Sequence, residues 1–329
     1  MILGAILMAW PAFYSGFPLV YPDSLEYIEA GRPVAAALLL GHHSSYYGIR
    51  SLIYSLGILP FHPGETIWPI IAFQCLLTSW VLWLVFRSVA PEKSWIHFLI
   101  LMAPLSLFSS LSWFGSFVMP DILGPDLYLC IFLLVFTHES LSRAERTLVY
   151  LISWWSITSH ATHLLIAVAL CCSLAVIAVS QPMPLRRYTW IAARLATIIA
   201  LAAGAQISLN AFLYGTPSLN GDRRQARDEM ALDFFYRVHR VAVISSLVGI
   251  AVLLPWLFRS RRMPLIALGF VIASSIVANS LFTGTLSMVA GRYGSRVVWL
   301  VPFFSGLCFL QWASDRRKII NARTSPEQP

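Results

Sequence analysis

The chain has 329 residues, of which 58% are hydrophobic and only 12% are charged. Soluble domains carry about 25% charged residues, so this composition excludes an ordinary soluble protein and indicates a polytopic membrane protein. The formal net charge of +8 does not indicate nucleic-acid binding, because no basic surface interleaved with stacking aromatic residues accompanies it.

Hydropathy predicts an all-α fold with about ten transmembrane helices, which makes residues 1–329 a single transmembrane domain. A span needs roughly 20 mostly apolar residues. Two further apolar pieces, 34–41 and 51–61, are too short to cross and are predicted to be interfacial or re-entrant helices. In chain order, the predicted spans cover 1–20, 67–86, 95–111, 122–137, 148–160, 164–180, 190–208, 241–258, 264–282 and 297–313.

The distribution of Lys and Arg predicts the orientation. Placing the N-terminus in the cytoplasm puts the basic loops inside, as the positive-inside rule requires. The first extracytoplasmic loop is then 21–66, a second extracytoplasmic loop covers 209–240, and 314–329 is a cytoplasmic tail. This orientation depends on counting 148–160 and 164–180 as two spans, since merging them would invert the orientation of all later spans and loops. The later basic loops favour keeping the two separate.

Ionisable residues collect on the predicted outer side, in separate segments of the chain. The stretch "YPDSLEYIEAGRP" follows the first span directly and carries Asp23 and Glu26. His43, Tyr47 and Arg50 lie between the two short helices. Together with the segments that follow, they are predicted to converge on this surface.

The later segments continue the pattern. Asp121 in "VMPDILGPD" begins the fourth span, and Asp126 lies about a turn deeper. "HATH" places His160 and His163 at the junction of the fifth and sixth spans. "GRYGSR", which opens the last span, supplies two Arg on one helical face, Arg292 and Arg296, and guanidinium groups bind phosphate oxygens bidentately.

For each of these residues a purely structural role is an alternative to a functional one. Ionisable residues at span ends also serve as interfacial anchors. A carboxylate inside a span is costly unless it faces the bundle interior, and Asp126 alternatively hydrogen-bonds backbone freed by Pro125. No metal site is assigned, because the His pair lacks a further ligand within its own motif. A divalent cation held by the carboxylates together with a phosphate stays an alternative.

In this order and placement, the motifs resemble the GT-C superfamily of integral-membrane glycosyltransferases, which includes protein O-mannosyltransferases and aminoarabinose transferases. "YPDSLEYIEAG" resembles the acidic motif that follows the first span in that family, 34–41 and 51–61 resemble its membrane-parallel helices, and "MPD" at 119–121 resembles its second acidic loop. One departure is that the first motif has Asp-Ser in place of Asp-Glu, which leaves the base open between Asp23 and Glu26.

The resemblance implies that a sugar moves from a polyprenyl-phosphate donor to an unidentified acceptor at the extracytoplasmic face of the bacterial inner membrane, with both termini in the cytoplasm. Membrane lipids would be the other partners. The roles it implies are catalysis by Asp23, Glu26 and Asp121, with Asp23 as the base; donor-phosphate binding by Arg292, Arg296 and Arg50; and substrate orientation by His43, Tyr47, Asp126, His160 and His163.

Two other function classes compete with this one. A transporter or lipid flippase would use Asp126 and the neighbouring prolines in a path through the membrane. A non-catalytic assembly subunit would use the outer polar residues for partner contacts. Because the ionisable residues crowd one face instead of spreading across the membrane depth, the sequence favours an outward-facing enzyme site.

Overall fold

The computed structural model describes residues 1–44, 47, 50–62, 64, 66–180, 185–214, 233–286 and 296–324. Within these ranges the chain is helical apart from its connections and one isolated parallel bridge, between Leu19 and Phe117. The all-α prediction is therefore confirmed for the described residues. The helices are α1 (Ile2–Met8), α2 (Trp10–Ser15), α3 (Pro22–Leu40), α4 (Leu52–Ile58), α5 (Trp68–Val89), α6 (Trp95–Phe108), α7 (Leu111–Ser116), α8 (Leu123–Phe136), α9 (Arg143–Ser159), α10 (Ala161–Ser180), α11 (Leu185–Tyr214), α12 (Asp233–Ser260), α13 (Met263–Leu286) and α14 (Leu300–Thr324), with 3-10 helices at Leu59–Phe61, Pro120–Ile122 and His138–Ser140.

Five helices in the described part of the chain are long and apolar enough to cross a membrane. A helix of about 20 apolar residues matches the hydrocarbon thickness, so the chain is an α-helical integral membrane protein. The remaining predicted spans correspond to shorter helices, which do not by themselves establish the number ten. The five are Trp68–Val89, Ala192–Leu213, Val238–Ser260, Met263–Leu281 and Arg296–Lys318.

The N-terminal region differs from the prediction in two places. The predicted span 1–20 is divided into α1 and α2, because the helix breaks at Ala9, just before Pro11. The piece 34–41 is not a separate short helix but the end of α3, which begins at Pro22. Pro22 fits the first helical position, where its missing N–H is no loss, and Pro33 removes one helical hydrogen bond without ending the helix.

The segments 148–160 and 164–180 around His160 lie in two separate helices. α9 ends at Ser159, His160 has extended backbone angles (φ −156°, ψ 132°), and α10 begins at Ala161. The two segments are therefore not merged into one helix.

Helix α8 forms the centre of the core. Every residue from Leu123 to Val135 is buried, and α8 packs against α5, α9 and α13. A helix that is apolar on all sides is expected to be surrounded by other helices. The 14 residues of α8 thus hold Asp126 inside the protein rather than facing lipid.

Ion pairs also occur in the segments predicted to be cytoplasmic. Arg87, in the last turn of α5, forms a two-pronged pair with Glu145 of α9 (3.0 and 3.1 Å). Arg262 pairs with Asp315 at 2.6 Å. α14 continues to Thr324, so the first part of the predicted tail 314–329 is helical.

Candidate active site

The acidic motif lies in the first turns of α3, where Asp23 and Glu26 are three residues apart and share one helical face. Arg50, just before α4, reaches both. Its Nη2 donates to Asp23 Oδ1 at 2.6 Å, and its Nε lies 3.4 Å from Glu26 Oε2 without hydrogen-bond geometry. The exposed fractions of these side chains are 32% for Arg50, 13% for Asp23 and 23% for Glu26, so water and solutes reach this group, which we call the outer acidic cluster.

A second group, which we call the buried arginine network, surrounds Arg296. Its Nη1 donates to Asp121 Oδ1 at 3.2 Å, its Nε and Nη2 donate to Asn279 Oδ1 at 3.1 and 2.8 Å, and Nη2 also donates to Thr162 Oγ1 at 3.2 Å. Arg296 is fully buried and Asp121 is 2% exposed. His160 joins the network through Nδ1, which lies 2.8 Å from Thr162 Oγ1. The guanidinium thereby ties together the segments at the start of α8, α10 and α14 and the C-terminal half of α13.

The bridge between Leu19 and Phe117 brings the two acidic segments side by side. The Leu19 N–H donates to Ser116 O (2.9 Å), and the Val118 N–H donates to Leu19 O (3.2 Å). Leu19 lies three residues before Pro22, the first residue of α3, and Val118 lies two residues before the 3-10 turn Pro120–Ile122 that carries Asp121. Two backbone hydrogen bonds therefore fix the entry of one carboxylate motif against the entry of the other.

Helix α4 makes the connection between the two groups. Its N-cap residue Ser51 follows Arg50 and donates its hydroxyl to Thr158 O at 2.8 Å, next to the junction at His160. Tyr54, one turn later, donates to Gln74 Oε1 at 2.5 Å. Burial raises the pKa of Tyr54 well above its usual value, and Tyr27 and the charge of Asp121 raise it further, so the phenol stays a hydrogen-bond donor.

His43 and Tyr47 contact each other and α11. Tyr47 Oη lies 3.2 Å from His43 Nδ1 and accepts from the Ser44 N–H. The His43 ring lies 5.2 Å from the ring of Phe212, and Tyr47 is packed in a small apolar cluster with Leu213. These described contacts place the two predicted substrate-orienting residues beside α11.

Asp126 and His163 lie deeper in the protein. Asp126 Oδ2 accepts from Thr78 Oγ1 at 2.8 Å, and its other carboxylate oxygen has no partner among the described residues. His163 Nδ1 lies 2.8 Å from Ser156 O. Its Nε2 faces Gly124, where a Cβ would come within 3.0 Å of the ring nitrogen, so the missing side chain makes room for the imidazole.

Arg292, the other predicted phosphate-binding residue, lies outside the described residues. Within the described part of the chain, no three His, Cys, Asp or Glu side chains come together as candidate metal ligands. The sequence reasoning missed Asn279 and Thr162, although a polar Asn inside the predicted span 264–282 was a usable signal, since polar residues in spans face partners within the bundle.

Together, fold and site define a polytopic helical membrane protein with a polar site beside the first large connection. No protein-family model matches the chain, and no curated protein sequence matches it either. Among solved structures it is similar to ArnT from Cupriavidus metallidurans, crystallised in the apo state, with a TM-score of 0.53 and 16% sequence identity. The match covers 94% of this chain and 61% of the ArnT chain. It shows a common fold, and the chain spans about three fifths of the length of that structure.

Proposed function

We propose that the protein is a membrane glycosyltransferase that moves a sugar from a polyprenyl-phosphate donor to an acceptor hydroxyl at the extracytoplasmic face of the bacterial inner membrane. The observation that carries the proposal is that the outer acidic cluster and the Asp121 segment lie side by side. The fold shared with ArnT, a membrane glycosyltransferase, supports it. The shorter described helices would complete the ten spans, with both termini in the cytoplasm.

The outer acidic cluster contains the groups that the transfer needs. Sugar transfer requires a base for the acceptor hydroxyl and positive charge at the departing phosphate. Asp23 is the proposed base, and Arg50, about one third exposed, is the proposed phosphate ligand. Glu26, on the same face of α3, holds Arg50 in place when a phosphate draws it from Asp23.

The proposed step is a single displacement at the anomeric carbon. As the acceptor oxygen forms its bond to that carbon, its proton moves to the Asp23 carboxylate, and the bond from the carbon to the phosphate oxygen breaks. The polyprenyl phosphate leaves with the bonding electron pair, and Arg50 stabilises the negative charge that develops on it. An arginine suits this because its guanidinium matches phosphate oxygens in a bidentate way.

The buried arginine network has a positioning role in this proposal. All the described hydrogen bonds of the Arg296 guanidinium go to protein acceptors, and the side chain has no solvent exposure. We propose that it fixes the Asp121 segment against α10 and α13, while Arg292 joins Arg50 in phosphate binding. His160 then orients sugar or acceptor hydroxyls from the edge of the site. Asp121 supports the site from within the network, and the remaining predicted orienting residues His43, Tyr47, Asp126 and His163 support it from further away.

Transfer of radiolabelled sugar tests the proposal. Purified protein in liposomes is given a panel of polyprenyl-phosphate sugars together with membrane extract as acceptor. Asp23→Asn is expected to lower transfer by about 10²–10⁴-fold, the range for loss of a general base. The matched control is Asp315→Asn, because Asp315 forms an Arg–Asp pair of the same 2.6 Å length in a segment predicted to be cytoplasmic.

The possible outcomes test the proposed activity and the assignment of the base separately. Transfer that survives Asp23→Asn but is lost in Glu26→Gln would move the base to Glu26. Transfer that survives both would reject the outer acidic cluster as the catalytic site. Absence of transfer from every donor, with folded protein, would favour the transporter or assembly-subunit interpretation.

A further inference from the structure

A cavity of about 460 Å³ lies between α3 and the segment that leads into α5. Its walls mix charged side chains from α3, chiefly Glu29 and Arg32, with apolar side chains such as Phe17 and Ile67. Phe17 is 53% exposed, so the rim of the cavity is apolar and open. A mostly apolar pocket that also contains charged side chains is suited to a ligand that has both a charged and an apolar part.

His62 is the unusual group in this cavity. The residue is 3% exposed and borders the cavity, and its Nε2 has no hydrogen-bond partner among the described residues. Buried polar atoms are nearly always paired, so an unpaired one at a cavity wall points to a missing partner. Burial and the charge of Arg32 lower the pKa of His62, which leaves the neutral imidazole able to donate one N–H.

Arg32 reaches across the cavity mouth towards the same segment. A Cβ built on Gly64 would lie 2.7 Å from an Arg32 guanidinium nitrogen, and Gly64 has φ +117°, where a side chain is strained. The described structure gives Arg32 no ion pair with a protein carboxylate, although Glu29 lies one turn before it on α3. Among the described residues, a guanidinium and a carboxylate without ion-pair partners thus line the same pocket, one turn apart.

The cavity is separate from the candidate active site. On α3, Ile28 and Arg32 lie on the face opposite Asp23 and Tyr27, as the 3.6-residue period dictates, whereas Glu29 lies one turn after Glu26, at the boundary between the two faces. No residue that lines the cavity belongs to the outer acidic cluster or to the buried arginine network. A ligand here therefore stands apart from the proposed transfer reaction.

We propose that this cavity binds a zwitterionic ligand with a phosphate beside an amine, its phosphate between Arg32 and His62 and its amine at Glu29. Arg32 would supply charge-assisted hydrogen bonds, and the Nε2–H of His62 would gain its missing acceptor. Membrane phospholipids with an amine headgroup have this chemistry, and so do small soluble amino-phosphates. The exposed side chain of Phe17 would contact the apolar part of a lipid.

Native mass spectrometry of the delipidated full-length protein tests the site. The probes are dioleoyl phosphatidylethanolamine, dioleoyl phosphatidylglycerol and phosphoethanolamine, the last being the soluble headgroup alone. We expect the ethanolamine lipid to bind at least tenfold more tightly than the glycerol lipid, and Arg32→Gln to weaken it about tenfold. Glu29→Gln is expected to abolish the preference between the two lipids. Arg143→Gln, a change at an exposed arginine of α9, is the control.

The three probes distinguish a membrane lipid from a soluble ligand, and the variants can reject the proposed binding site. Binding of phosphoethanolamine as tight as that of the ethanolamine lipid would identify a soluble ligand of the same chemistry. Equal binding of both lipids to the wild type would reject the proposed contact between the ligand amine and Glu29. Binding that Arg32→Gln and His62→Phe leave unchanged would reject the site altogether. The Arg32→Gln variant is expected to transfer sugar like the wild type, because it retains the whole outer acidic cluster. Its lipid binding therefore tests the cavity independently of the proposed function.

Discussion

The outer acidic cluster and the buried arginine network are both built from an arginine and an aspartate, yet they differ in burial. Arg50 and Asp23 lie 2.6 Å apart with side chains 32% and 13% exposed, whereas Arg296 and Asp121 lie 3.2 Å apart at 0% and 2%. An exposed pair contributes little to stability because water solvates each charge. A buried pair is different, since removing one partner leaves an uncompensated charge. The comparison therefore separates a chemically available pair from one that holds helices together.

The largest expected effect is on the buried pair. Arg296→Met leaves the Asp121 charge without its partner, and we expect the free energy of unfolding to fall by about 3–5 kcal/mol. Thermal unfolding of the detergent-solubilised protein, followed by size-exclusion chromatography of heated samples, measures the loss. Adding Asp121→Asn to that variant removes the stranded charge and should restore part of the stability. An unchanged melting temperature in Arg296→Met would contradict the structural role.

In the outer pair, substitution of the arginine should lower activity and leave stability nearly unchanged. Arg50→Gln is expected to change the free energy of unfolding by less than about 1 kcal/mol. Sugar transfer should fall by about 10²-fold, because a positive group at the leaving phosphate is lost. Arg50→Lys should recover only part of the activity, since an ammonium group lacks the bidentate fork. A stability loss as large as that of Arg296→Met would erase the distinction between the two regions.

The smallest effect concerns the pair between Arg87 and Glu145, which is partly exposed like the outer pair but has no proposed chemistry. The hydrogen bonds from Arg87 lower the pKa of Glu145 below its ordinary value of 4.5. Since the folded-state pKa is the lower one, the stabilisation is present above pH 4.5 and is lost as the pH falls through the folded-state value.

Glu145→Gln removes this contribution. We expect a loss of about 0.2–1 kcal/mol at pH 7 and a smaller difference from the wild type below pH 4.5. Melting temperatures of both proteins at pH 7 and pH 4 provide the measurement, and sugar transfer at pH 7 should be unchanged. A difference that grows towards low pH would contradict the assigned direction.

Local patterns explain which predictions from the sequence succeeded. Long apolar runs predicted most of the helices from 67 onwards, because a segment in lipid satisfies its backbone hydrogen bonds within itself by forming a helix. The error at 34–41 has a local cause too. The apolar piece 34–41 continues a helix that begins in the polar motif at Pro22, and Pro33 inside it costs one hydrogen bond without ending the helix, which packs against α4.

Local sequence patterns could not predict which charged residues contact one another. The sequence indicated that Arg50 and Arg296 would both face a phosphate, since an arginine on the outer side has that chemistry wherever it lies. The structure adds what the sequence did not specify: Arg50 forms ion pairs with the two carboxylates of α3, and Arg296 is enclosed by Asp121, Asn279 and Thr162. Burial depends on the helices that surround a residue, and those come from distant parts of the chain.

The sequence by itself determined that the protein is a helical membrane protein and that its ionisable residues gather towards one predicted side, because hydropathy and charge act residue by residue. Only the tertiary structure decided which charges meet. Asp121 and Arg296 are 175 positions apart, and nothing in the local sequence of either one specifies the other. Their contact exists because the turn before α8 and the segment before α14 pack together around α10 and α13, where an unpaired charge would be too costly to bury.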